Sequence, residues 1–155
     1  MKEIQGNLVK LAQAGEFDVI IHGCNCFCTM GAGIALTLKR TWPEVARIDR
    51  TTVSGDKEKL GTFTVARVMN NQGKLFSVIN AYTQYGINGR GMREDLFEYE
   101  HFDTILRNVK QYYSGLRIGL PTIGSGHACG NWDRIRLSIH NELMGEDVTI
   151  VYFDK

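Results

Sequence analysis

The sequence predicts an α/β protein, a sheet with helices on both faces. Its hydrophobic period switches repeatedly between about two and about 3.6 residues, with glycine at many of the switches. Phe17 to His22 is a near-continuous apolar run, as expected of a strand covered on both faces. The 155 residues suffice for one domain and leave no room for two. A β-α-β-α alternation of this kind places helices on both sides of one sheet.

Lys2 to Gln5 reads as a short strand closed by Gly6-Asn7, and Leu8, Leu11 and Ala12 give a short helical face ending at Gly15. After the strand Phe17–His22, Gly31-Ala32-Gly33 opens a helix through Ile34, Leu36 and Leu38 to Thr41. Pro43 suits the first turn of another helix, which runs to about Thr52. Gly61 to Val68 alternates at Phe63 and Val65, Asn70 to Gly73 is a turn, and Leu75 to Ala81 is a second strand, so the pair reads as a hairpin or close neighbours. Glu94 to Tyr113 is a long amphipathic helix, and Arg117 to Leu120 is a strand feeding Pro121-Thr122-Ile123-Gly124-Ser125-Gly126. A helix from Asn131 or Trp132 to about Leu143 and a strand from Val148 to Phe153 close the chain.

Composition narrows the function. At 43% hydrophobic and 23% charged, with a net charge of +1, the chain can bury a core and lacks a basic field for nucleic acid or anionic lipid. The longest aliphatic or aromatic run, Ile150 to Phe153, is far short of a membrane span, and Met1 to Ile4 lacks the apolar stretch of a signal peptide. The expectation is a cytoplasmic protein with no membrane contact and no direct nucleic-acid readout. Cys24, Cys26 and Cys28 alternate within five residues, and Cys129 lies about a hundred residues away. Neither a disulfide framework nor a complete zinc set follows from that spacing, so free thiols packed as small hydrophobes are expected, with no metal and no cofactor.

Two glycine-rich stretches, 30–35 and 124–130, each follow a strand and precede a helix. Glycine lets a ligand approach the backbone, and the helix N-termini supply N–H donors suited to phosphate. Neither is a G-K-[ST] loop and neither fits G-x-G-x-x-G. Their pairing at strand ends suggests a diphosphate held between two backbone cradles.

Gly6-Asn7-Leu8, Ile21-His22-Gly23-Cys24-Asn25-Cys26, Met30-Gly31-Ala32-Gly33-Ile34-Ala35 and Pro121-Thr122-Ile123-Gly124-Ser125-Gly126 together resemble the macrodomain family, in order and spacing, across nearly the whole chain. Within it the resemblance is to the ADP-ribose 1″-phosphate phosphatase-like and phage branch, and more distantly to terminal ADP-ribose protein glycohydrolases. It implies a three-layer α/β/α sandwich around a mixed central sheet, with ADP-ribose over the strand ends. It places Asn7 and Leu8 at the adenine, with Phe153 or Tyr152 flanking that ring, and Asn25 at the distal ribose. Cys24 joins the cleft wall, and the diphosphate lies between Gly31, Ala32, Gly33, Ile34 and Ala35 on one side and Thr122, Gly124, Ser125, Gly126, His127, Ala128, Cys129 and Gly130 on the other. Asn7 stands where most of the family has Asp, and its oxygen is expected to accept from the adenine amino group.

The resemblance also implies activity: a phosphatase on ADP-ribose 1″-phosphate, with His22 relaying protons and Asn25 orienting the ribose. From its own position His22 reads equally as a core histidine bonded to backbone, and His127 as a solvent-facing loop residue. The glycohydrolase Lys and Asp are replaced, near Ala81-Tyr82 and at Ala128, so a lysine-adduct mechanism is not expected. Alternatives are a non-catalytic ADP-ribose-binding module, and a hydrolase of ADP-ribosyl links on protein or nucleic acid, so ADP-ribosylated macromolecules are further possible partners. Membership of the phage branch would put the chain in a host cytoplasm. Arg90 and Arg93, in a glycine-rich segment from Tyr85, read as a mobile flap or a solvated loop.

Overall fold

The computed structural model describes residues 1–153. Its elements are β1 (Lys2–Gly6), α1 (Leu8–Gln13), β2 (Val19–Cys24), α2 (Gly33–Thr41), α3 (Pro43–Asp49), β3 (Phe63–Met69), β4 (Leu75–Tyr82), α4 (Tyr99–Tyr113), β5 (Arg117–Leu120), α5 (Trp132–Glu142) and β6 (Asp147–Phe153). One short 3-10 turn, Lys57–Lys59, precedes β3. The six strands form one mixed sheet in the order β1-β6-β5-β2-β4-β3, with every neighbouring pair parallel except the β3–β4 hairpin.

Strand alternation divides the interior into two cores. Ile20 and Cys24 of β2, with Phe76, Val78 and Tyr82 of β4, pack with the buried faces of α1, α2 and α3. Val19 and Ile21, with Ile79 and Ala81, pack with α4 and α5 on the other face. The result is the expected three-layer α/β/α sandwich. No helix among the described residues is long and apolar enough to cross a membrane.

The expected long helix starts at Tyr99 rather than Glu94. Its would-be first turn spends its donors elsewhere: Leu96 N–H goes to Ala128 O (2.8 Å), Glu98 N–H to Thr83 O (2.7 Å), and Phe97 N–H to the Asp95 carboxylate (3.0 Å). Residues 94–98 thus tie the end of β4 to the second glycine loop, and the tie outweighs local helical periodicity. The α3 helix likewise stops at Asp49, short of Thr52.

Candidate functional site

Five parallel strands, β1, β6, β5, β2 and β4, end along one edge of the sheet. A cleft of about 1030 Å³ runs along that edge. Four inter-strand steps of about 4.8 Å make it about 19 Å long, enough for an extended dinucleotide-sized ligand.

At the β1/β6 end, Gly6 pairs in register with Phe153, which puts Asn7 and Leu8 beside the ends of both strands. Leu8, Val151 and Phe153 give this end apolar walls, and Phe153 is 68% exposed. The Asn7 carboxamide oxygen accepts from Lys10 N–H (3.1 Å) and caps α1. The capping bond uses one of the two lone pairs of that oxygen, so the expected acceptance from an adenine amino group remains open to it.

In the middle, Gly31 to Ala35 form one wall. Ala32 precedes α2 without a side-chain cap, and Gly33 takes a left-handed φ of 57°. The first N–H groups of α2 are therefore left for a ligand. Opposite them, Thr122 and Gly124 to Ala128 line the cleft. Gly124 has φ 76°, and a Cβ there would overlap the Phe97 ring. Cys129 (φ 55°) and Gly130 do not line the cleft, contrary to expectation. Gly130 N–H donates to Gly124 O at 2.8 Å, so these two residues close the loop from behind.

At the β2/β4 end, Cys24, Asn25, Thr29, Gln84, Ile87 and Asn88 complete the lining. Asn25 shapes its own turn: the carboxamide oxygen accepts from Phe27 N–H (2.8 Å) and the NH2 donates to Thr29 Oγ1 (2.7 Å). Asn88 latches its segment by donating to Glu94 O (2.9 Å) and His127 O (2.8 Å) while accepting from Glu94 N–H (3.0 Å). Ile87 and Asn88, not Arg90 or Arg93, are the residues of the glycine-rich segment that reach the cleft. The sequence reading passed over Gln84, although it stands just past the carboxyl end of β4, the same signal that drew attention to Asn25 after β2.

His22 is corrected. It is fully buried and absent from the cleft wall, because strand alternation sends it with Ile20 and Cys24 toward the core beneath α3. Its Nε2 lies 2.5 Å from Asn80 Oδ1, and Asn80 donates onward to Val45 O (3.0 Å) and Thr64 Oγ1 (3.2 Å). Burial pulls the imidazole pKa down to about 4, only partly opposed by the Asn80 bond. The Cys24 thiol, 3.6 Å from His22 Nε2, is pushed well up by burial and stays a thiol.

Among the described residues no Asp, Glu, Lys or Arg lines the cleft, and His127 and Cys24 are the ionisable side chains that do. Among the described residues no group of three or more His, Cys, Asp or Glu is placed to hold a metal, and all four cysteines are free.

No family model matches the chain. It is 34% identical over 142 residues to the "Uncharacterized 17.5 kDa protein in tk-vs intergenic region" of Enterobacteria phage T4, covering 87% of this chain and 84% of that protein. It is 34% identical over 76 residues to an ADP-ribose 1″-phosphate phosphatase of Ajellomyces capsulatus, a match spanning 49% of this chain and 29% of the phosphatase. Among solved structures it resembles the macrodomain of Thermus aquaticus DarG, with a TM-score of 0.68, 19% identity, and coverage of 99% of this chain and 97% of that one. It also resembles Thermosipho africanus DarTG in complex with ADP-ribose, with a TM-score of 0.69, 15% identity, and coverage of 92% of this chain and 39% of that one.

Proposed function

The chain belongs to the macrodomain family, with the phage T4 protein as a near full-length relative, and we propose that it binds ADP-ribose in this cleft and removes the phosphate from ADP-ribose 1″-phosphate. The observation that carries the proposal is a cleft walled by backbone donors and neutral side chains, with no carboxylate among its described lining residues to repel an anion. The ADP-ribose bound by the DarTG structure of the same fold and the partial likeness to the fungal phosphatase support the ligand and the reaction.

In this reading the adenine lies between Leu8, Val151 and Phe153, and the diphosphate lies between the uncapped start of α2 and the loop 122–128. The distal ribose reaches Asn25. Water attacks the terminal phosphorus, the bond to the ribose oxygen breaks, and His127 hands that oxygen a proton. Backbone N–H groups hold the phosphoryl oxygens as charge develops on them. Cleaving a glycosidic ADP-ribosyl link instead would call for a carboxylate beside the oxocarbenium centre or a nucleophilic lysine, and the described lining residues include neither.

One observation favours a second reading, a module that holds free or macromolecule-linked ADP-ribose without turnover. With His22 sealed in the core, His127 is the single exposed ionisable group among the described residues of the cleft. Phosphate release from ADP-ribose 1″-phosphate decides between the two. Enzyme-dependent release supports the phosphatase; calorimetric binding of ADP-ribose with background release supports the module.

A further inference from the structure

Four carboxamides line the cleft: Asn7, Asn25, Gln84 and Asn88. Three have their oxygens committed to backbone N–H groups, of Lys10, Phe27 and Glu94 respectively. Because an N–H can bond only to the oxygen, these contacts also fix which way each amide faces. Gln84 differs. Its Nε2 donates to Gly86 O at 2.8 Å, which fixes its orientation too, and its Oε1 has no partner among the described residues.

Gln84 is held firmly at this spot. Thr83 N–H donates to Cys24 O (3.3 Å) and Cys26 N–H donates to Tyr85 O (2.9 Å), so the backbone on either side of Gln84 is tied to the residues on either side of Asn25. This is the polar end of the cleft, across β2 and β5 from the apolar walls at β1 and β6.

We infer that Gln84 is a specificity-determining residue whose side-chain oxygen accepts a hydrogen bond from a hydroxyl of the distal sugar. It selects ligands that carry a polyhydroxylated group beyond the diphosphate over ligands that end at the diphosphate. The assignment rests on ADP-ribose lying in this cleft and goes beyond it, because the oxygen of Asn25, the residue the resemblance implies at that sugar, already accepts from Phe27 N–H while that of Gln84 accepts from no described group.

Calorimetry with ADP-ribose and with ADP, which lacks the distal sugar, tests the inference on the wild type, Gln84→Met and Gln84→Glu. Methionine keeps the length and loses the acceptor, so ADP-ribose affinity should fall about tenfold, the size of one lost hydrogen bond. ADP affinity should stay within about twofold, which also verifies that the variant is folded. Glutamate keeps an acceptor but loses the donation to Gly86 O, so it should retain more of the preference for ADP-ribose over ADP than methionine does, even if its charge weakens both. An unchanged preference in Gln84→Met, an equal loss of both ligands, or a lost preference in Gln84→Glu would overturn the inference while leaving ADP-ribose binding in place. A wild type that binds neither ligand overturns the functional reading and this inference together.

Discussion

His22 Nε2 lies 2.5 Å from Asn80 Oδ1 across the register of β2 and β4. Asn80 directs its NH2 to Val45 O and Thr64 Oγ1, so its oxygen faces His22, and the imidazole donates from Nε2 in its neutral form. The pair stitches two central strands to α3. It is structural, and its consequences are for stability.

The pH dependence of folding should report this histidine. Its pKa is lowered from 6.5 in the unfolded chain to about 4 in the folded one. Between those values the unfolded state binds the extra proton, so its contribution to stability is intact above pH 6.5 and is lost as pH falls toward 4. The slope is at most about 1.4 kcal/mol per pH unit. Urea melts of wild type and His22→Gln across pH 4.5 to 7.5, on the order of half-unit steps, check it: the variant should be less stable at neutral pH and should lose this slope. A variant of native stability whose turnover falls a hundredfold or so would return His22 to the role of proton relay.

The two glycine loops should respond oppositely to substitution. Gly31 lines the cleft, its φ is not left-handed, and a Cβ there meets nothing within 4 Å. Gly31→Val should fold with nearly native stability and weaken ADP-ribose at least about tenfold by filling the backbone's approach to the diphosphate. Gly124→Ala should lose about 1–3 kcal/mol of stability, because a methyl group enters the Phe97 ring at a φ of 76°. Thermal melts beside calorimetry separate the two outcomes, and a destabilised Gly31→Val would refute the assignment of that surface to ligand.

Element order, the two-faced sheet and the pairing of glycine loops were legible because periodicity, turn residues and strand-end position are local signals. The side of the sheet on which His22 falls was not legible from the motif around it; it depends on which face α3 covers. Asn25 and Asn7 line the cleft, but their hydrogen-bond commitments belong to turns that only the folded backbone closes. Helix α4 begins late for the same kind of reason: Leu96 and Glu98 find partners at Ala128 and Thr83, about thirty and fifteen residues away in sequence. Contacts between distant segments decided each of these points.

Chelation should have no effect. Cys24 and Cys26 are buried with their thiols pushed up by burial, Cys28 packs against Asp49 O and Thr52, and among the described residues no group of three or more metal-ligating side chains gathers around them. Treatment with EDTA or phenanthroline should leave the melting temperature and any phosphate release unchanged. Stoichiometric zinc in the purified protein, lost together with stability on chelation, would contradict this account of the cysteines.

His127 is where turnover should be most sensitive. It stands in the second loop, exposed and on the cleft wall, with its carbonyl clasped by Asn88 at 2.8 Å so that the imidazole's anchor is fixed. His127→Ala should cut kcat for ADP-ribose 1″-phosphate by about two to four orders of magnitude, the range of a proton-transfer group. ADP-ribose affinity should change less than about threefold, because the product lacks the phosphate that the imidazole serves. Asn25→Ala should behave differently and weaken substrate and product alike, since its amide holds Thr29 and Phe27 in the turn at the distal end. Single-turnover phosphate release together with ADP-ribose calorimetry on both variants separates these patterns. Full turnover in His127→Ala would remove the imidazole from the chemistry, and the binding module would then be the better account of the site.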